Sequence, residues 1–137
     1  SSDLKALRDE LAPHTLLIGN GDVRDHAHGL ELIAQSGIDG VMIGRGIFHD
    51  PFAFSDTTAE KISLEKDRKS TLLSLLRYHL DLYDAHSDRP YDTLKRFFKI
   101  YIRDFEGAAE LRDQLMHTKN TDEVRALLNT TEQADVQ

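Results

Sequence analysis

Residues 16–23 read "LLIGNGDV" and residues 41–51 read "VMIGRGIFHDP". Each is a short apolar run that ends in two glycines around one polar residue, Asn20 in the first and Arg45 in the second. Short aliphatic runs bounded by turn residues read as buried strands, here expected over 15–18 and 41–43. Between them, "DHAHGLELIAQSG" (25–37) places Ala27, Leu30, Ile33 and Ala34 at helical spacing. Asp25 opens that helix and Gly37 is positioned as its C-cap. Two apolar strands joined by a helix make a parallel α/β unit with a right-handed crossover.

Upstream, "DLKALRDEL" (3–11) carries leucines at 4, 7 and 11, a helical spacing, and Pro13 follows as a stop signal. Residues 1–54 therefore read helix, strand, helix, strand. Strands of this kind need neighbours on both sides and cover on both faces. Nothing after residue 55 reads as another strand, so the expectation is a piece of a larger α/β domain.

After Phe54 the character changes. Residues 55–63 open a polar stretch rich in turn formers and read as a linker. Four helical stretches follow, over about 64–86, 91–105, 108–117 and 121–129. Leu72, Leu73, Leu76, Leu80 and Tyr83 stripe the first. Leu94, Phe98, Tyr101, Ile102 and Phe105 stripe the second. Leu111, Leu115 and Met116 serve the third, and Val124, Leu127 and Leu128 the fourth. Thr121 is expected as the N-cap of the last. Residues 64–130 thus form a small helical bundle, and 131–137 read as a frayed tail.

The 137 residues are 39% hydrophobic and 30% charged, with a formal net charge of −7, ordinary for a globular domain. The absence of cysteine excludes disulfides, thiolate metal sites and a cysteine nucleophile within the chain. It fits a reducing, cytoplasmic setting. No apolar run reaches the ~18 residues of a membrane helix, and no signal-peptide pattern opens the chain. No membrane or metal partner is expected. His26 and His28, two apart on a helix, point about 200° apart and cannot share a metal.

In parallel α/β domains, ligands bind at the carboxyl ends of the strands. Gly19, Gly21, Gly44 and Gly46 lie at those ends. Glycine lets a ligand approach the backbone, exposed N–H groups at a following helix N-terminus suit a phosphate, and Arg45 adds a forked cationic donor. Each turn alone could be no more than a tight turn; two at one edge with an arginine point to an anion. Asp22 either caps the next helix or lends its N–H, since its carboxylate would not welcome a phosphate. In the (β/α)8 barrel a phosphate site often follows the last two strands, and the order here matches them.

These residues resemble a known family. "GNGDV", then "GIDGVMIGRG" and a proline, are similar to the end of the FMN-binding barrel of tRNA-dihydrouridine synthases. The helical tail with "LKRFFKIYI" is similar to their appended tRNA-binding domain. The resemblance implies the last two β/α units of a TIM-type barrel followed by an all-α bundle. It also implies FMN phosphate contacts at Asn20, Gly21, Asp22, Gly44 and Arg45. It implies that the whole enzyme reduces uridine in tRNA to 5,6-dihydrouridine with NADPH or NADH, with a cysteine as general acid and the target base leaving its stack. This chain lacks that cysteine, so the chain alone is expected to be inactive. A truncated barrel would also expose strand edges through which copies could associate.

"RPYDTLKRFFKIYIR" (89–103) holds Arg89, Lys95, Arg96, Lys99 and Arg103 against one acid, Asp92. On one continuous helix Lys95, Lys99 and Arg103 would align, with Arg96 beside them. That is an ordinary solvated face or the footprint of phosphate-backbone binding, and the resemblance favours RNA contact. Two alternatives stay open: another FMN- or phosphate-binding barrel oxidoreductase acting on a small molecule, or a non-catalytic helical module that binds protein.

Overall fold

A computed structural model describes residues 2–56 and 65–135. The chain divides into two compact units, Ser1–Glu60 and Lys61–Gln137. The expected linker falls largely on residues 57–64, outside the described residues.

The first unit runs α1 (Ser2–Glu10), β1 (Ile18–Asn20), α2 (His26–Ser36), β2 (Gly40–Met42) and a 3-10 turn (Arg45–Phe48). β1 and β2 are parallel, with Ile18, Gly19 and Asn20 opposite Gly40, Val41 and Met42. The Asp39 carboxylate ties the lower end of this pair. It accepts from Leu17 N–H at 2.8 Å and from Arg8 of α1. Asp25 caps α2 by accepting from His28 N–H at 2.8 Å, and Gly37 closes it in the left-handed conformation, φ 68°, as its sequence position predicts.

Three expectations need correction here. The first strand starts at Ile18 rather than Thr15 and runs through Gly19 to Asn20, residues expected in the turn. Nor are these runs buried throughout: Leu16, Ile18 and Met42 are 77%, 57% and 51% exposed. Only Gly19 of β1 is turned inward. The buried face of α2 is also not the aliphatic one. Leu30, Ala27 and Ala34 are exposed, and Gly29 and Ser36 are buried. The cause is close packing on β2. A Cβ at Gly29 would lie 2.8 Å from Val41 Cγ2, so the helix settles on its glycine and turns Leu30 outward.

The second unit is helical: α3 (Arg68–His86), α4 (Asp92–Lys95), α5 (Phe98–Tyr101), α6 (Ala108–Met116) and α7 (Thr121–Asp135). Phe98 is fully buried at its centre, among Leu76, Leu80, Leu94, Leu115 and Leu128. Each such side chain contributes about 1.5–3 kcal/mol of burial. Polar ties join α3 to α7. Arg125 binds Asp81 and Asp84 at 2.7 and 2.8 Å, Arg77 binds Glu132 at 2.8 Å, and Thr121 Oγ1 donates to Asp84 at 2.9 Å.

Three more expectations change. The stretch 91–105 is not one helix but two short ones. Its hydrogen bonds tighten to three-residue spacing, Phe97 N–H to Leu94 O and Ile100 N–H to Phe97 O, both 2.9 Å. This rotates Ile100 inward alongside Phe98 and Ile102, a set that no straight α-helix would align. The last helix is capped by Asn120, whose Oδ1 accepts from Glu123 N–H at 2.9 Å. Thr121 instead uses its hydroxyl to reach α3. Finally, α7 continues through the expected frayed tail to Asp135, held by the Arg77–Glu132 pair. Among the described residues no helix is long and apolar enough to cross a membrane.

Candidate functional site

The two glycine turns meet at the carboxyl ends of β1 and β2. Gly21 follows β1 with φ 144° and Asp22 sits at φ 49°. Gly44 precedes the 3-10 turn, and Arg45 is its first residue. Gly46 is the point of closest approach. A Cβ there would lie 2.8 Å from the Val23 carbonyl oxygen and closer still to that of Arg24, so only glycine lets the second turn seat against the first.

Arg45 Nη2 donates to Asp22 Oδ1. This pair joins the turns at the surface, where both side chains are about four-fifths exposed, 81% and 80%. Beside it lies a cleft of about 500 Å3 lined by Asp22, Arg24, Asp25, Arg45, His49 and Asp50. Two arginines there face three aspartates, but each carboxylate has a local task. Asp25 caps α2, Asp50 accepts from Phe52 N–H at 2.8 Å, and Asp22 holds Arg45.

The sequence expectation placed helix N-terminal donors at this site. The structure uses two of them internally: His26 N–H donates to Ala53 O at 2.7 Å and His28 N–H to the Asp25 carboxylate. The groups left to hold an anion are the turns and the guanidinium, which carries five N–H donors. Gly44 supports that reading. Its backbone lies at φ −97°, ψ −95°, and a Cβ added there would meet nothing within 4 Å, so crowding does not require glycine. The open space suits a ligand group approaching the main chain, so the residues present fit a phosphate. Arg24, not singled out in the sequence, is the second cation of the cleft. Its signal was its place directly after the first turn.

In the helical unit the four basic residues of the expected stripe separate. Lys95 is largely buried, 18% exposed, and pairs with Asp92 at 2.9 Å. Its ammonium stands 5.4 Å from the Tyr91 ring centre, and the Arg96 guanidinium stands 4.6 Å from that of Phe97. Lys99 is exposed. Arg103 lies beyond α5 and pairs with Asp104 at 2.6 Å. Lys95, Arg96 and Lys99 share a groove of about 460 Å3 with Arg112 and Asp113 of α6. Arg112, missed in the sequence, donates to the Ile102 carbonyl at 2.9 Å, a group left over where α5 ends.

On the far side of α4 and α5, His79 Nδ1 lies 3.0 Å from Tyr101 Oη and its ring 5.3 Å from that of Phe97. Burial lowers the His79 pKa and raises that of Tyr101. Among the described residues no three His, Cys, Asp or Glu side chains are placed to hold a metal ion.

The profile of the family described as Dihydrouridine synthase (Dus) matches residues 2–136. The chain is 57% identical over 133 residues to a Bacillus subtilis (strain 168) protein named "Probable tRNA-dihydrouridine synthase 2", covering 95% of this chain and 39% of that protein. It is 54% identical over 132 residues to a "Probable tRNA-dihydrouridine synthase" of Staphylococcus epidermidis, covering 94% and 39%. A Staphylococcus aureus (strain Mu50) protein of the same name is 53% identical, covering 94% and 38%. The chain thus spans about two fifths of the length of these curated relatives.

Proposed function

The chain belongs to the dihydrouridine synthase family, and from that premise we propose that it is part of an FMN-dependent tRNA-dihydrouridine synthase, a cytoplasmic enzyme reducing uridine in tRNA to 5,6-dihydrouridine with NADPH. In this reading the first unit supplies the last two β/α units of a TIM-type barrel, and the second is the tRNA-binding domain.

FMN, when bound, supplies hydride chemistry to the pyrimidine. The chain's own residues hold its phosphate: the backbone at Asn20, Gly21 and Asp22, the open main chain at Gly44, and the Arg45 guanidinium. Asp22 keeps Arg45 extended across the gap between the turns, so the cation is positioned before an anion arrives and little ordering remains to be done on binding. The chain has no cysteine, so the general acid of the reaction lies outside these residues. By itself the chain is inactive, and the outer edges of β1 and β2 are the route by which its copies associate. Lys95, Arg96 and Lys99 contribute positive charge toward tRNA, whereas Arg103, expected with them, is taken up by Asp104.

The observation that carries this reading is the meeting of the two glycine turns with Arg45 between them, in a chain of this family. The test is incubation of unmodified tRNA with the full-length protein, FMN and NADPH, with dihydrouridine measured by mass spectrometry. Formation of dihydrouridine is the expected result. Its absence, with flavin bound and NADPH present, would overturn the proposal.

A further inference from the structure

We propose that the groove between α4/α5 and α6 is the track for the RNA phosphate backbone, with Arg112 as a contact residue and Arg103 outside it. This rests on the RNA partner of the preceding section and fixes where on the bundle that partner lies.

Four basic side chains converge on the groove from segments well apart in sequence: Lys95, Arg96 and Lys99 from the α4–α5 segment and Arg112 from α6. One acid, Asp113, stands among the lining residues. Ala109 and the half-exposed Met116 also line it, so the cations border an apolar strip. A backbone of evenly spaced phosphates lying along such a strip would meet charge on both walls, and release of its counterions would drive binding. Arg112 fixes one wall, anchored by its Nη1 to the Ile102 carbonyl; the Arg96 guanidinium lies over Phe97, beside His79. An arginine held by one nitrogen keeps the rest of its fork for a phosphate oxygen. Arg103 is different. It is joined to Asp104, which also faces Arg68 at 3.7 Å, and it does not line the groove.

The experiment is a titration of the chain with tRNA by fluorescence anisotropy across a series of salt concentrations. Wild type, Arg112→Gln, Arg112→Lys, Lys99→Gln and Arg103→Gln are compared, with thermal melts as the folding control. Arg112→Gln and Lys99→Gln are each expected to weaken binding several-fold at low salt. Each should lower the slope of log affinity against log salt by about 0.7–0.9, one phosphate contact. Arg112→Lys should keep the slope and Arg103→Gln should change neither quantity. Lys99 covers the case in which Arg112→Gln unfolds. An unchanged slope for folded Arg112→Gln and for Lys99→Gln overturns the inference, as does a loss at Arg103 equal to that at Arg112. Failure of the wild-type chain to bind tRNA at all would instead remove the RNA partner, and the groove with it.

Discussion

Arg45 reaches across 23 residues of sequence to hydrogen-bond Asp22, and this is the direct link between the two turns at the carboxyl ends of β1 and β2. The pair is exposed, and such pairs contribute only about 0–1 kcal/mol to stability. Its consequence is for ligand binding. In the full-length protein, Arg45→Ala is expected to weaken FMN binding by about 1.5–3 kcal/mol, the cost of losing a hydrogen bond to a charged group. Asp22→Asn should hold flavin at least as well, because the amide Oδ1 can still accept from Arg45 while the negative charge facing the phosphate is gone, and asparagine tolerates the left-handed backbone at φ 49°. Flavin fluorescence titration checks both. Unchanged affinity for Arg45→Ala would remove Arg45 from the phosphate site.

Gly46→Ala should disrupt the site without touching a charge. The new methyl would press on the Val23 and Arg24 carbonyls, which belong to the backbone of the first turn and cannot swing aside. Overpacking of this kind costs about 1–3 kcal/mol. Gly44→Ala meets no such obstacle, so it should cost less stability and still weaken flavin binding. Denaturant unfolding and flavin titration of the two variants in the full-length protein should therefore show flavin loss in both and the larger stability loss in Gly46→Ala.

At the start of α7 the two neighbouring polar residues do different work. Asn120 satisfies the Glu123 N–H, whereas Thr121 ties α7 to Asp84 of α3. Asn120→Ala should cost about 1 kcal/mol as a lost cap. Thr121→Ala should cost less, since its bond is exposed and Arg125 remains on the same carboxylate. Thermal melts of the two variants give the order directly, and a larger loss at Thr121 would return the cap to that residue.

Burial lowers the His79 pKa from its usual 6.5, which makes the helical unit sensitive to acid. The unfolded chain takes up a proton near pH 6.5 and the folded chain only at lower pH. Between those two values the unfolded state binds more protons, so stability falls as pH falls through the window and levels off below the folded pKa. Other groups titrate nearby, so the informative quantity is a difference. The stability loss of wild type between pH 7.5 and 5 should exceed that of His79→Gln. Equal losses would mean that His79 is not the source.

What the sequence revealed and what it hid follow from the range of the interactions involved. The strand–helix–strand order, the opening of α2 at Asp25 and the Gly37 cap are local, set within a turn of chain, and were legible. The outward face of α2 was not, because the Gly29–Val41 contact that sets it spans the unit. Leu94, Phe98 and Ile102 repeat every four residues and read as one helix. The break after Lys95 goes with the burial of Ile100, and the Ile102 carbonyl at the end of α5 accepts from Arg112, neither visible in the periodicity. At the site, the glycines and Arg45 announced themselves by type and position. The partner of Arg45 did not, since an aspartate after a glycine turn looks like a helix cap until the second turn is brought beside it.

The basic segment gives the last prediction. As a continuous helix its cations would have stood unrelieved in a row. The structure relieves Lys95 through Asp92 at 2.9 Å and Arg103 through Asp104 at 2.6 Å, and leaves the Lys95 ammonium near the Tyr91 ring. Reversal of charge at Lys95 therefore does two things. It removes a cation facing RNA and sets a carboxylate beside Asp92, so the short α4 should loosen slightly. Lys99 is exposed on α5. Lys99→Glu alone should leave the unit folded and weaken tRNA binding. Adding Lys95→Glu should bring the combined loss to about tenfold or more at low salt, shrinking as salt rises and fewer counterions are released in compensation. Circular dichroism separates the small folding cost at Lys95 from the binding loss shared by both. If the folded double variant binds tRNA as tightly as wild type at low salt, these lysines face no phosphate. The helical unit would then be better read as a surface for protein.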